Sequence, residues 1–348
     1  MDSPDLENTR ELELRRFRHN VLSHEGVQAL FAVCLARNAA AARMRRRNAK
    51  KPAKPDAGSA GTLEKPDLNH LLQGRITLPS LPHIFSRLIE LMSDERSSTD
   101  DFARVILQDP ALSARLLKIV NSPFYGFRAE IGTVSQAVAI IGVNDLYALC
   151  LGTSVVNAFR TIPIELVDMP SFWKHSIACG IIARVIAENK GFPNRERFFV
   201  AGLLHDLGRL ILYRHLADHA QAALHFAARY SLLLHHAETE ILGFDHARMG
   251  GMLMKKWKLP GELEQMIRYH HSPEHSAYPV ETAVIHLADV IANALETGTS
   301  GETFVPQMDP LAWRQVDMPL PLLKTIAEQI DSRITEITDL LVPEQIGT

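Results

Sequence analysis

Apolar residues recur at helical spacing almost wherever the chain shows a pattern, and no run alternates in the period of two that a half-buried strand requires. The spacing predicts a helix over residues 11–47, with Leu22, Val27, Leu30, Phe31, Cys34 and Leu35 on one stripe. Asp109-Pro110 places a cap before a proline at the first helical position. Leu112, Leu116 and Ile119 then line one face until Asn121-Ser122-Pro123 stops the helix. Thr133 with Gln136 reads as a capping box, Gly142 as a stop, and Asn144 as the cap of the next helix. Asp168-Met169-Pro170 opens a longer helix through His175 to Asn189, closed by Gly191 and Pro193.

The stretch 201–212, AGLLHDLGRLIL, reads as a helix to about Tyr213 with His205 and Asp206 inside an apolar run. Further helices are expected at 215–230, 232–242, 246–258, 260–270 and 279–296. Two more fall in 308–342, where Leu322, Ile326, Ile330, Ile334, Ile337 and Leu341 form a stripe that docks on the protein's own core or on a second copy. The fold class is therefore all-α.

Composition narrows the setting. With 348 residues, 46% of them hydrophobic, the chain is long enough for two ordinary domains. A formal charge of -3 argues against whole-chain binding to polyanions. One local exception exists: Arg37, Arg43, Arg45, Arg46, Arg47, Lys50, Lys51 and Lys54 carry no acidic residue between them, so residues 37–54 form a solvated arm leading into a linker or a surface for nucleic acid, an anionic membrane or an acidic partner. Residues 51–67, KPAKPDAGSAGTLEKPD, have the composition of a flexible connection. Cys34, Cys150 and Cys179 lack framework spacing and read as buried, reduced thiols. With no transmembrane segment and a charged N-terminus, the expected location is the cytoplasm.

Twelve of the sixteen histidines lie between residues 175 and 286. A His and an Asp buried together cost several kcal/mol unless they hold a metal or sit in a satisfied polar network. The other histidines read differently. His215 and His219 share a face without a metalloprotease motif, and His235-His236 beside Glu238 and Glu240 read as polar side chains facing water. His286, one turn before Asp289, reads as a packed or outer group, and Trp173 and Trp257 as core.

In order, the stretches LPSLPHIFSRLIELM, QDPALSARLLKIVNSPFYG, TVSQAVAIIGVNDLYAL, FWKHS, AGLLHDLGRLIL, ILGFDHARMGGMLMKKWKLP and IRYHHSPE resemble the HDOD family, a bacterial signalling module related to HD-type phosphohydrolases. Charge and composition set apart a basic helical arm (1–50) and a linker (51–70), and the resemblance implies an HDOD domain over 71–296. That domain would have a helical lobe at 71–165 and an HD-like lobe at 166–296, with C-terminal helices at 297–348 packing on it.

The resemblance also implies a ligand set. His175, His205, Asp206 and Asp289 would hold one divalent transition metal (Fe, Mn, Zn or Ni), and His246, His270 and His271 with bridging Asp206 a second. The related HD-GYP phosphodiesterases carry a Lys where Arg209 stands and a glycine-rich Gly-Tyr-Pro loop where this chain reads HHSPEHSAYP. Arg209 is thus the candidate cofactor-binding residue, and it exchanges a compact ammonium for a planar fork.

The departure favours a non-catalytic regulatory module that works through protein–protein contact over a metal-dependent hydrolase of a nucleotide or cyclic dinucleotide. A nucleic-acid-associated regulator using the basic arm is the third reading. The implied partners are a signalling protein, a nucleotide, nucleic acid through residues 37–54, and a second copy in a homodimer.

Overall fold

The computed structural model describes residues 4–45, 64–66, 83–94, 96–123, 125–159 and 166–341, and among these every regular element is a helix. The proposed linker lies outside the described residues except for 64–66, and so do Arg46, Arg47, Lys50, Lys51 and Lys54 of the basic run.

The single N-terminal helix expected from the sequence is two, α1 (Pro4–Arg16) and α2 (Glu25–Arg45). The break between them has a structural use. Asn20 turns its side chain away from helix formation and bonds the backbone of Val305, Pro306 and Met308. Val27, Leu30 and Cys34 of α2 are buried, and Arg37 donates to Ala327 O and to Asp331 Oδ1 at 2.7 Å. The first cation of the basic run is therefore neutralised within the fold.

The N-terminal lobe comprises α3 (His83–Ser93), α4 (Thr99–Ile106), α5 (Pro110–Val120), α6 (Val134–Ile141) and α7 (Val143–Ala158). Asp109 caps α5 as its sequence promises, accepting from Leu112 N, and Asn121 ends it by donating back to Leu117 O. The capping box at Thr133 is shifted by one residue. Thr133 Oγ1 accepts from Gln136 N, but Gln136 reaches back to the amide of Gly132. Asn144 is not a cap: Val143 is already helical, Gly142 with φ 91° is the cap residue, and Asn144 stands exposed in the first turn.

The HD-like lobe is built on α8 (Met169–Lys190), capped by Asp168 and closed by Gly191 in the left-handed region. Around it lie α9 (Glu196–Leu204), α10 (Leu207–His215), α11 (Ala217–Tyr230), α12 (Leu234–Leu242), α13 (His246–Lys256), α14 (Gly261–Arg268) and α15 (Pro279–Ala294). Then come α16 (Pro310–Val316) and α17 (Leu320–Leu341). α8 packs against α9, α15 and α17, while α7 packs on α9 and α5 on α17, so one hydrophobic core runs through both lobes.

The stripe on α17 faces inward. Ile326, Ile330, Ile334, Ile337 and Leu341 are buried, with Leu322 at its margin, and each such side chain contributes about 1.5–3 kcal/mol of transfer free energy. All three cysteines are buried and free.

Candidate metal centre

The His-Asp stretch is not one helix. α9 ends at Leu204, His205 and Asp206 form a turn, and α10 begins at Leu207, with Arg209 N bonding Asp206 O at 2.9 Å. A continuous helix would aim adjacent side chains about 100° apart, whereas the turn lets both face one point.

Two close approaches bring this turn onto its neighbours. A Cβ on Gly202 would stand 2.7 Å from the backbone of Gly180 on α8, and one on Gly208 would stand 1.9 Å from the carbonyl oxygen of His246. Only glycine permits either contact.

Around the turn converge His175 from α8, His246 from α13, His270 and His271 from the segment after α14, and Asp289 from α15. His175, His205, His246 and His270 are fully excluded from solvent, Asp206 and Asp289 nearly so, and His271 is half-buried. All seven residues expected from the resemblance therefore meet in one place. Their ligand atoms form overlapping groups: His175, His205 and Asp206; His205, His270 and Asp289; and His246, His270 and His271. Asp206 stands between them, with Oδ2 3.3 Å from His205 Nε2 and Oδ1 2.9 Å from His246 Nε2.

Hydrogen bonds fix which nitrogen points inward. His205 Nδ1 donates to Gly202 O and His270 Nδ1 to Ile267 O, which turns both Nε2 atoms to the centre. His246 Nδ1 donates to Glu238 Oε2 at 2.6 Å, the arrangement in which a carboxylate orients a metal-binding imidazole. His286 does not reach the centre. Its Nδ1 donates to His270 O and its Nε2 accepts from Asp309 N, so it holds the backbone that presents His270.

The site's carboxylates hold either protons on the facing imidazoles or a cation. Burial lowers the His205 and His246 imidazoles, but Asp206 carries His205 well above its ordinary value and Glu238 with Asp206 carries His246 to about 9, so a metal ion binds there by displacing protons. Burial pushes the Asp206 carboxyl up, but Arg209, His205 and His246 outweigh it and hold the group well below the ordinary range. Asp289 is likewise raised by burial and brought well below that range by His175 and His205. Burial, reinforced by His205 and His246, lowers His270 to about 3, so it offers a neutral imidazole.

The Nδ1 of His175 is buried without a hydrogen-bond partner, while the Nε2 atoms of His175 and His205 face Asp289 Oδ1 at 3.2 Å and Asp206 Oδ2 at 3.3 Å. A metal ion bound through the lone pairs of those two Nε2 atoms would satisfy them, where an unpaired buried nitrogen costs about 1–3 kcal/mol. The residues present fit the ion that the sequence implies.

Arg209 is enclosed rather than open to a ligand. Its guanidinium lies 3.3 Å from Asp206 Oδ2 and 3.3 Å from Glu238 Oε1, and it donates to Ser300 Oγ. Glu238 corrects the surface reading: it is 2% exposed, whereas His236 and Glu240 are exposed as expected. The signal was in the spacing, since Glu238 falls on the apolar face of α12 with Leu234, Ala237, Ile241 and Leu242.

No local sequence signal marks the loop over Arg209. Ser300 is fully buried, Tyr213 Oη donates to Ser300 O, and Glu302 accepts from Leu234 N, so residues 297–305 close over Arg209.

Fold and site together define an all-helical, two-lobed protein with a buried His-Asp cage of the HD type. The HDOD domain family matches residues 78–273, and the chain belongs to that family. An uncharacterised protein of Treponema pallidum (strain Nichols) is 26% identical over 230 residues, 65% of this chain and 44% of its own length, so this chain spans less than half of that relative.

Solved structures similar to the chain include two with unlike descriptions. An HDOD domain protein of unknown function from Geobacter sulfurreducens has a TM-score of 0.65 at 26% identity, over 79% of this chain and 97% of its own. A candidate phosphohydrolase from Shewanella amazonensis SB2B has a TM-score of 0.62 at 25% identity, over 78% of this chain and 98% of its own. Among the described residues no single helix is long and apolar enough to cross a membrane.

Proposed function

We propose that the chain is a non-catalytic regulatory module of bacterial signal transduction, working in the cytoplasm through protein–protein contact, whose HD-type cage holds a transition-metal ion as a structural or sensing element. The observation that carries this reading is the closure of the cage. A hydrolytic metal centre needs a coordination position that water and substrate can reach. Here the ligand residues other than His271 are at most 5% exposed, and Ser300 is bonded to Arg209, whose guanidinium lies against Asp206. When bound, the ion would supply positive charge that satisfies the inward imidazoles and carboxylates. The protein's part is to orient those donors and exclude water.

The competing reading is a metal-dependent phosphohydrolase, favoured by the placement of Asp206 between two groups of ligand atoms. Elemental analysis of chelator-free protein, followed by assays on bis-para-nitrophenyl phosphate and cyclic dinucleotides with Mn or Fe under anaerobic conditions, separates the two. The regulatory reading expects bound metal without turnover. Turnover that vanishes in His205→Ala and Asp206→Ala would replace it with the hydrolase.

A further inference from the structure

A second polar cavity lies between the lobes, away from the cage. It is a cleft of about 300 Å³ walled by Tyr125 and Phe127 after α5, Asp145 on α7, Arg184 on α8, Arg195 at the start of α9, and Arg333 reaching in from α17. Its floor is built, not incidental: Arg184 Nε donates to Glu196 Oε1 at 2.6 Å, and both residues are buried.

Three features of this cleft are complementary to one kind of molecule. The Arg184 guanidinium lies over the Tyr125 ring at 5.1 Å, and Tyr125 stacks on Phe127 with centroids 5.9 Å apart and planes 14° from parallel. Phe127 ends this stack with 41% of its surface exposed, which leaves a π-face for a further planar ring.

The second feature is Asp145, whose carboxylate accepts from the Glu196 backbone while its Oδ1 is buried with no hydrogen-bond partner, which leaves one acceptor for a donor. The third is Arg333, whose guanidinium donates to the neutral Gln329 Oε1 and meets no carboxylate among the described residues. Arg195, by contrast, is paired with Glu188.

A planar ring, adjacent N–H donors and an anionic group occur together in a purine nucleotide. The carboxylate selects among purines. Guanine presents two neighbouring donors, N1–H and the exocyclic amine, to one carboxylate. Adenine presents one donor beside an unprotonated ring nitrogen, which repels it.

We propose that the interlobe cleft binds a guanine nucleotide, with the base stacked on Phe127 and bonded to Asp145, and the phosphate held by Arg333 with Arg195. Such a ligand touches both lobes and α17 at once, and so reports its presence to the whole helical surface.

Isothermal titration of the purified full chain with GMP, AMP and guanosine at pH 7.5 tests this, with circular dichroism to establish that each variant is folded. GMP is expected to bind saturably and at least about tenfold more tightly than AMP. Asp145→Asn is expected to erase that preference. Arg333→Ala should weaken GMP about tenfold while leaving guanosine unchanged. His205→Ala, in the cage, should leave GMP affinity unaltered. Absence of saturable GMP binding to the wild-type chain overturns the proposal, as does binding indifferent to both cleft substitutions. Loss of binding in His205→Ala would assign the nucleotide to the cage instead.

Discussion

The Arg209 guanidinium stands 3.3 Å from the Asp206 carboxylate in a space where both are at most 3% exposed, and the same guanidinium reaches Glu238 and Ser300. Arg209 is thus a permanent counter-charge for the two buried carboxylates that aim the His-Asp turn and His246. A Lys at this position is a point charge with a shorter reach, and it cannot span Asp206, Glu238 and Ser300 together.

Breaking this pair leaves Asp206 and Glu238 buried with only the His246 ring, which contacts both, between them. Arg209→Ala is expected to destabilise the fold by about 3–5 kcal/mol, as removal of one partner of a buried pair does. Arg209→Lys should recover only part of that loss. Urea unfolding of the three proteins decides it. Equal stability of wild type and Arg209→Ala would mean that Glu238 and Asp206 are neutralised some other way.

A metal-binding cage makes stability depend on the ion. Chelator-treated protein should gain stability on addition of Mn, Fe or Zn, by about 2.7 kcal/mol at a hundredfold excess over the dissociation constant. Asp289→Asn and His205→Ala should lose most of the gain, because Asp289 Oδ1 lies 3.2 Å from His175 Nε2 and 3.5 Å from His205 Nε2. Thermal melts with and without each ion measure this directly.

The helical class, most helix limits and the seven cage residues were legible in the sequence because each has a local cause: an apolar period, a cap, or a motif in its family order. What escaped depends on contacts between distant segments. The turn at His205-Asp206 is imposed by Gly208 lying against His246 O, and no window of sequence contains both. The break at residues 17–24 answers to a loop almost three hundred positions later, which Asn20 bonds. Ser300 sits in a Gly- and Thr-rich stretch that reads as surface loop until Arg209 is placed beneath it. Glu238 was the exception, a buried charge that its own helical period had marked.

Asp145 gives the fold a pH dependence whose sign is fixed by its surroundings. Burial raises its carboxyl from 3.8 to about 6, with Glu196 adding to the shift and Arg184 and Arg195 opposing it. The folded state therefore holds this proton more tightly than the unfolded chain does. Its contribution is favourable at low pH and is lost as pH rises from about 4 to about 6. Asp145→Asn cannot ionise, so it should be more stable than wild type at pH 7.5, with the advantage shrinking toward pH 4.5. Melting temperatures of the two proteins across that interval check it. An advantage that does not vary with pH would point to packing rather than charge.

The N-terminal arm holds the loop that closes over Arg209 beside the cage. Asn20 Nδ2 donates to the carbonyls of Val305 and Pro306, and its Oδ1 accepts from Met308 N at 2.9 Å. Arg16 adds bonds to Asn293 O at 2.6 Å and Ala294 O at 3.0 Å, while Val305 N bonds the Arg16 carbonyl. From this anchored end the loop runs back to Gly298, where a Cβ would stand 2.3 Å from Ser171 O, one turn before His175. Asn20→Ala removes one side chain and leaves three backbone groups unpaired, a cost of about 1–3 kcal/mol that falls on the loop and not on the core beneath it. Amide exchange should quicken at residues 299–305 with little change in α8 or α15. If the loop is also the route to the cage, a chelator should strip metal from Asn20→Ala several-fold faster than from wild type. Faster amide exchange with an unchanged stripping rate would place the route elsewhere, and the half-buried ring of His271 is then the next position to open.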